Sequence, residues 1–172
     1  FYRMLSLNEV ILKTSSRAEL YDRALEIALS LSGAERGFLL MHREDGAQSF
    51  EIVASRDLGG DRIPEPHLKV SLTIAQEAAE TGHTVVTIKA REDERFNAAL
   101  SVVDLDLSSV LCVPVRDATG LLGALYLDHR FHPGVFHAEL QRMMESFGHQ
   151  LALGLTNAER RETLERERQE LA

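Results

Sequence analysis

The chain contains one cysteine, Cys112, which excludes an intrachain disulfide and favours a reducing, cytoplasmic location. It has no hydrophobic run long enough to span a bilayer, and its first residues carry no signal-peptide pattern. Positive charge is also scarce, because 19 Lys and Arg residues are dispersed among 27 Asp and Glu residues, for a net charge of -8. These absences argue against a membrane partner and against direct nucleic-acid binding, which needs clustered basic residues.

Catalytic motifs are absent as well. The sequence has no G-x-S-x-G nucleophile elbow, no P-loop, no H-E-x-x-H metal motif and no G-x-G-x-x-G loop. A Ser-His-Asp set can be picked from any chain with 7 histidines, so its presence here indicates nothing. We therefore expect a protein without enzymatic activity.

The most apolar stretch, residues 108–130, predicts two strands folded back on a tight turn at Asp117-Ala118-Thr119-Gly120. A continuous hydrophobic run is typical of a strand that is covered on both faces. The hairpin is therefore predicted to lie in the middle of a sheet, with helices on one face and other segments on the other.

Two helices are predicted before this hairpin, over residues 1–13 and from a capping box at Ser16 and Glu19 to a stop at Gly33. A first hairpin follows, with strands at 36–42 and 50–55 around a turn at 44–46. Residues 57–68 are predicted as a loop, and Ser71 is expected to cap a short helix that Gly82 closes. A strand at 83–88, a loop at 91–95 and a broken helix within 96–107 complete this part of the chain.

Helical spacing of apolar residues continues from His137 almost to the end of the chain. A helix of roughly 35 residues is about 50 Å long at 1.5 Å per residue, so its end is expected to project beyond the core. We therefore divide the chain into a domain at residues 1–158 and a projecting helix at 159–172. Leu164 and Leu171, seven residues apart, fit both the start of a coiled-coil seam and a solvated tail.

The order of these elements resembles that of a GAF domain, and the resemblance covers nearly the whole chain. The matching sequences are GAERGF at 33–38, SVLCVPV at 109–115, GALYLD at 123–128, Phe136, and LTNA at 155–158. The resemblance implies an α+β fold with a central six-stranded antiparallel sheet, helices packed on one face, and pocket loops with short helices on the other. It also implies a non-catalytic module for small-molecule sensing and dimerisation in a bacterial signal-transduction or transcription-regulatory protein.

In such proteins the domain is joined to an output domain, such as an AAA+ activator, a histidine kinase or a cyclase. The lack of an initiator Met agrees with Phe1 lying inside a longer protein. We expect a homodimer formed through the first and last helices, because excess apolar helix surface is usually buried between subunits. The expected stripe consists of Leu5, Leu12, Leu151 and Leu155.

The ligand is not identified by the resemblance, and the cofactor is unknown. Cyclic-nucleotide-binding members carry an N-K-x-F-x-x-x-D-E motif, from which the chain departs after Asn97. Bilin-binding members use a cysteine that is often beside a histidine, whereas Cys112 lies between Leu111 and Val113. A pocket is expected between the sheet face without long helices and the segments 57–68 and 91–107.

The candidate residues for the pocket wall are Arg56, His83, Phe96, Leu100 and Cys112. Arg56 alone among them suits bidentate pairing with an anionic ligand. Two alternatives stay open. Phe96 and Leu100 fill the space in a ligand-free dimerisation and interaction scaffold, or the domain is a metal or thiol redox sensor.

Local sequence bears on the redox and metal alternatives. Cys112, in mid-strand among apolar neighbours, is expected to be a buried thiol with a raised pKa. His129, His132 and His137 span a Pro-Gly turn, which favours a histidine-rich surface turn over a zinc site. Asp128, at the end of a strand, is expected to accept hydrogen bonds from local backbone N–H groups.

Overall fold

The computed structural model describes residues 2–13, 16–43, 50–65, 71–96 and 108–172. The side chains of Leu5 and Leu12 are outside this description. In these ranges the chain forms four α-helices and five strands, with a 3-10 turn at Ala90–Glu92. In chain order they are α1 (Tyr2–Lys13), α2 (Arg17–Ser32), β1 (Arg36–His42), β2 (Phe50–Asp57), α3 (Leu72–Thr81), β3 (Val85–Thr87), β4 (Ser109–Asp117), β5 (Gly120–His129) and α4 (Ala138–Glu170).

The predicted helix boundaries are confirmed by their caps. Ser16 Oγ accepts a hydrogen bond from the Glu19 backbone N–H at 3.2 Å, and Gly33 ends α2 in the left-handed region with a φ of 67°. Ser71 Oγ accepts from the Ile74 N–H at 3.5 Å at the start of α3, which Gly82 closes. These ends form as predicted because each depends on residues within four positions of the helix end.

The strands form one antiparallel sheet in the order β2-β1-β5-β4-β3. The β4–β5 hairpin therefore lies inside the sheet, as its apolar sequence predicts. Five strands are present in the described ranges, where the family resemblance implied six, and the strand expected at 83–88 is limited to Val85–Thr87. The predicted turn at 44–46 and most of the predicted broken helix within 96–107 lie outside the described residues.

Helices α1, α2 and α4 pack on one face of the sheet. Buried residues of this core include Leu25 from α2, Phe147 and Leu151 from α4, and Leu111 and Leu125 from the central hairpin. Gly123 of β5 lies against β1, where an added Cβ would lie 2.0 Å from the Leu40 carbonyl oxygen. Glycine is therefore required at this point of the β1–β5 pair.

Helix α4 has 33 residues and extends beyond this core, in agreement with the predicted long helix. Its burial ends at Ala158; after that residue only Glu162 is partly covered, by an ion pair with Arg17 at 2.9 Å. Leu151 and Leu155 are buried within the subunit, so their expected place on an exposed dimer stripe is wrong. Among the helices of the described ranges, none has the length and apolar character that crossing a bilayer requires.

The β4–β5 turn is joined to α4 through Asp117. Its Oδ1 accepts hydrogen bonds from the Thr119 N–H, the Thr119 hydroxyl and the Gly120 N–H, while Oδ2 accepts from the Thr156 hydroxyl at 2.8 Å. Hydrogen bonds from the Thr119 and Thr156 side chains, with those from the backbone, lower the pKa of Asp117 to about 2. The turn and the helix are thus coupled by one ionised carboxylate.

This coupling predicts a contribution of Asp117 to stability at acidic pH. A folded-state pKa of about 2 lies below the ordinary value of 3.8, so the contribution is present above pH 3.8 and is lost as the pH falls through 2. Urea denaturation between pH 2 and pH 5 should show a shallower acid loss for Asp117→Asn than for the wild type. Glu167→Gln, at an exposed position on α4, is the control. Equal slopes for Asp117→Asn and the wild type would contradict this role.

Candidate functional site

The sheet face opposite α1, α2 and α4 carries a second, smaller hydrophobic core. Phe38, Cys112 and Tyr126 are buried there, on three adjacent strands. Helix α3 covers them with Ile74, Ala75 and Ala78, and Phe96 belongs to the same core. Because side chains alternate between the faces of a strand, the residues two positions along from Phe38 and Tyr126 face the same way. Arg36, two positions before Phe38, and Asp128, two positions after Tyr126, therefore lie on this face.

Arg36 and Asp128 form a buried ion pair at the end of this face. The β1–β5 register places them directly opposite each other, and Arg36 Nε and Nη2 donate to Asp128 Oδ1 and Oδ2 at 2.8 and 2.7 Å. Their side chains are 7% and 0% exposed. Burial raises the pKa of the Asp128 carboxyl to about 6, although the hydrogen bonds and the positive charge of Arg36 act to lower it.

The expectation that the Asp128 carboxylate accepts local backbone N–H groups is therefore wrong. Its partner is a guanidinium 92 positions earlier in the chain, brought there by the pairing of β1 with β5. The sequence does contain a signal, because Arg36 directly precedes the apolar run from Gly37 to Met41. A charge in such a strand needs a buried partner of opposite sign.

A cavity of about 390 Å³, open to solvent on the side formed by Leu58, Gly59 and Pro64, lies against Arg36. It is lined by Glu35, Arg36, Asp57, Leu58, Gly59, Ile63, Pro64 and Arg130. The predicted loop at 57–68 thus supplies one side, and the ends of β1 and β5 supply the other. In size this cavity is at the lower end of small-molecule pockets, which hold roughly 300–1,000 Å³.

A second ion pair, between Glu35 and Arg130, borders the cavity. Glu35 Oε1 accepts from Arg130 Nε at 2.8 Å and from Nη2, and Oε2 accepts from the Arg130 backbone N–H at 2.9 Å. Burial acts to raise the pKa of Glu35, but the hydrogen bonds from Arg130 outweigh it and the pKa is lowered. Glu35 is thus an ionised carboxylate whose position is set by Arg130.

The loop side of the cavity is held by Asp57. Its Oδ1 accepts from the Asp61 N–H at 3.0 Å, and its backbone carbonyl accepts from the Gly60 N–H at 3.0 Å. Gly60 has a φ of 85°, a left-handed conformation that glycine adopts without strain. Asp57 is also the β2 residue directly opposite Arg36. Asp128, Arg36 and Asp57 thus occupy one row across three strands.

Arg56 does not lie at this cavity. Its Nη2 is 3.2 Å from Asp22 Oδ1 of α2, which places the guanidinium on the sheet face covered by the long helices. His83 is exposed and lines a separate groove of about 200 Å³, together with Arg116, Glu145 and His149. Two of the five predicted wall residues are therefore away from the sheet face that carries the smaller core.

Phe96 and Cys112 do lie on the predicted face, in the smaller core beneath α3. Cys112 is fully buried, and burial raises the pKa of its thiol to about 12, as the sequence predicts in direction. Leu100, the fifth predicted residue, lies outside the described residues. The structure thus brings together two of the predicted residues, both within a packed core.

The histidines after β5 serve the local backbone. His129 Nδ1 accepts hydrogen bonds from the Phe131 and His132 N–H groups, both at 3.3 Å, and His137 Nδ1 accepts from the Leu140 N–H at the start of α4. Burial lowers the pKa of His129, in agreement with a neutral acceptor ring. No group of three or more His, Cys, Asp or Glu side chains in the described ranges is arranged to hold a metal ion.

Comparison with known proteins agrees with this architecture. A family model described as the GAF domain matches residues 16–155. A search of curated proteins finds no match to the chain.

Solved structures resemble the fold at low sequence identity. The GAF domain of a phosphoenolpyruvate-protein phosphotransferase from Acinetobacter has a TM-score of 0.73 at 18% identity, covering 94% of this chain and 96% of that one. The corresponding domain from Coxiella burnetii has a TM-score of 0.69 at 13% identity, over 94% and 95%. A free methionine-R-sulfoxide reductase from Neisseria meningitidis, in complex with its substrate, has a TM-score of 0.70 at 15% identity, over 91% and 88%.

The Arg36–Asp128 pair leads to a prediction about stability. Replacing Asp128 with Leu leaves a buried guanidinium without its counter-charge and is expected to cost about 3–5 kcal/mol of unfolding free energy. The double variant Arg36→Met/Asp128→Leu removes both charges and should recover most of that loss. Urea denaturation of the two variants measures the difference. A double variant no more stable than Asp128→Leu would contradict the ion pair.

Proposed function

The chain belongs to the GAF family of sensor and regulatory modules in signalling proteins, and from this premise we propose that it is a non-catalytic, small-molecule-binding input domain. The ligand occupies the cavity between the 57–64 loop and the ends of β1 and β5. The domain works in the cytoplasm of a bacterium. Its output is read by a covalently linked AAA+ activator, kinase or cyclase.

The observation that carries this proposal is the buried ion pair against a cavity. A buried pair is a poor device for stability alone, because well-packed apolar residues of similar volume are often as stable or more so. Arg36 and Asp128 line and support a space of about 390 Å³, where charged groups can recognise a polar ligand. Their position at the end of the sheet is thus better explained by binding than by packing.

The side chains at the cavity support a binding role over a catalytic one. Among the described lining residues there is no thiol, hydroxyl or imidazole, and the two carboxylates, Glu35 and Asp57, accept hydrogen bonds from Arg130 and from the loop backbone. Both guanidinium groups are held by carboxylates. Cys112 is buried under α3, and the raised pKa of its thiol disfavours the thiolate needed for redox sensing.

A route from the cavity to the output helix follows from the contacts. Asp128 lies on β5, whose first residues form the turn held by Asp117. Asp117 accepts a hydrogen bond from Thr156 in the middle of α4, and α4 extends past the core toward the C-terminus. A ligand that shifts the end of β5 would therefore act on α4 through a short series of direct contacts.

A ligand-free scaffold is the second candidate. Phe96, 2% exposed, fills part of the face beneath α3, as expected for a domain that has replaced its ligand with side chains. In that case the domain functions through dimerisation alone. The two candidates differ in whether any compound stabilises the protein.

In both candidates we propose a homodimer formed through the terminal helices. Leu153 and Leu164 of α4, and Leu171 directly after it, are 62%, 64% and 90% exposed. Their separations of eleven and seven residues correspond to about three and two helical turns, which places them on one side of the helix. This exposed stripe takes the place of the predicted one, whose members Leu151 and Leu155 are buried.

Ligand binding predicts a thermal shift that depends on the cavity. In a screen of amino acids, organic acids, amines, cyclic nucleotides and haem, a ligand at 100 times its dissociation constant should add about 2.7 kcal/mol of stability. The Arg36→Met/Asp128→Leu variant should lose this response. His83→Ala, in the separate groove, should retain it. A thermal shift of equal size in both variants would exclude this cavity as the ligand site. No shift of the wild type with any compound would favour the ligand-free scaffold.

Dimerisation through α4 predicts a loss of association when the exposed stripe becomes charged. One chain has a mass of 19.2 kDa, and sedimentation equilibrium of the wild type should give twice this mass. Leu164→Glu should give a monomer, because it places two like charges in the seam. Gln169→Glu adds the same charge on another side of the exposed helix and should leave the dimer intact. A monomeric wild type at high concentration would exclude the dimer.

A further inference from the structure

The cavity beside Arg36 carries an uneven balance of charge, and the inference from that balance rests on the proposed function of the cavity as a ligand site. Two guanidinium groups, from Arg36 and Arg130, and two carboxylates, from Glu35 and Asp57, line it. Asp128 lies behind Arg36 and is buried. With all five groups ionised, the site therefore has one negative charge more than it has positive charges.

Each guanidinium is already committed to one carboxylate. Arg36 donates through Nε and Nη2 to both oxygens of Asp128. Arg130 donates through Nε and Nη2 to Glu35. An anionic ligand would have to compete with these charge-assisted bonds, which are among the stronger hydrogen bonds in proteins.

Asp57 is the carboxylate left over. Within the described ranges no Lys, Arg or His forms an ion pair with it, and its side chain accepts the Asp61 N–H through Oδ1. A carboxylate has about four acceptor positions, so Asp57 retains capacity for a donor from a ligand. His129, which contacts Glu35 at 3.8 Å, adds no positive charge when its ring is neutral.

Apolar side chains lie next to this carboxylate. Leu58, Ile63 and Pro64 line the same cavity, and Leu58 is 66% exposed. A ligand with an apolar body would cover part of this surface, which favours binding by removing it from water. The cavity therefore places one hydrogen-bond acceptor for a cation, the Asp57 carboxylate, beside an apolar surface that can contact a hydrocarbon group.

We propose that the cavity binds a small organic primary ammonium ion with an apolar body. The ammonium group donates to Asp57, and the body lies against Leu58, Ile63 and Pro64. A simple amine and an amino acid share this chemistry, and they differ in a carboxylate that in the amino acid would lie near Arg130. A doubly charged anion such as a phosphate ester is disfavoured by the same charge balance.

Three probes that share one branched hydrocarbon group test the proposal. Isoamylamine carries the ammonium group alone, 4-methylpentanoate the carboxylate alone, and leucine both. Titrated into the whole chain at pH 7 by calorimetry and by ¹H–¹⁵N NMR, isoamylamine should bind and shift the amide signals of residues 57–63, whereas 4-methylpentanoate should not. Tighter binding of leucine than of isoamylamine would identify an amino acid, and the reverse order an amine.

Two matched variants locate the binding charge. Asp57→Asn removes the charge but keeps a carbonyl oxygen for the Asp61 N–H, so the loop should retain its fold. It should weaken isoamylamine binding by about tenfold or more, the usual range for a charge-assisted hydrogen bond. Asp61→Asn removes the same charge from an exposed position of the same loop and should leave the affinity within about twofold.

The outcomes separate this inference from the function on which it rests. Binding of 4-methylpentanoate but not isoamylamine would overturn the inference and leave a ligand site of opposite charge preference. Isoamylamine binding that is equally affected by Asp57→Asn and Asp61→Asn would also overturn it. No binding by any of the three probes would overturn it too, and the proposed function would then fail only if the wider thermal-shift screen gave no response.

Discussion

The buried ion pair between Arg36 and Asp128 is the interaction on which the candidate site depends. It joins the first residue of β1 to the end of β5, two strands whose sequences are far apart in the chain. The Glu35 N–H also donates to the Asp128 backbone carbonyl at 3.0 Å, so the residue before β1 is held at the same place. That contact brings Glu35 into reach of Arg130 and thereby completes one wall of the cavity.

The same fold connects this wall to the long C-terminal helix. The strand that carries Asp128 begins at the Asp117 turn, and Asp117 accepts a hydrogen bond from Thr156 of α4. The end of β5 at the cavity and the end joined to α4 are thus opposite ends of one central strand. We propose that a displacement at the cavity end is transmitted along this strand to α4. The sensing proposal relies on this arrangement.

Local features of the fold could be predicted from sequence because their physical causes are local. The caps at Ser16 and Ser71 and the apolar β4–β5 hairpin each depend on a few neighbouring residues. The Arg36–Asp128 pair depends on which strands become neighbours and in what register, and no short pattern carries that information. The sequence likewise predicts Asp57 only as the start of a loop, although the β1–β2 register places it opposite Arg36.

The placement of Arg56 shows how one irregularity changes a site prediction. Phe50 and Ile52 contact the smaller core, and strict alternation along β2 would put Ala54 and Arg56 on that same face. The pairing with β1 shifts between Leu39 and Leu40, so β2 has an extra residue between Ile52 and Ala54. After such a bulge, each side chain of the strand points to the opposite sheet face from the one that strict alternation predicts. Ala54 and Arg56 therefore face the long helices.

Arginine side-chain NMR tests the central claim of a buried, bidentate ion pair most directly. In a ¹H–¹⁵N spectrum at pH 7, with Arg36→Lys used for assignment, the Arg36 Nε–H should exchange with water far more slowly than that of the exposed Arg168. Its signal should also lose this protection in Asp128→Asn. Exchange of the Arg36 Nε–H as fast as that of Arg168 in the wild type would contradict a buried pair.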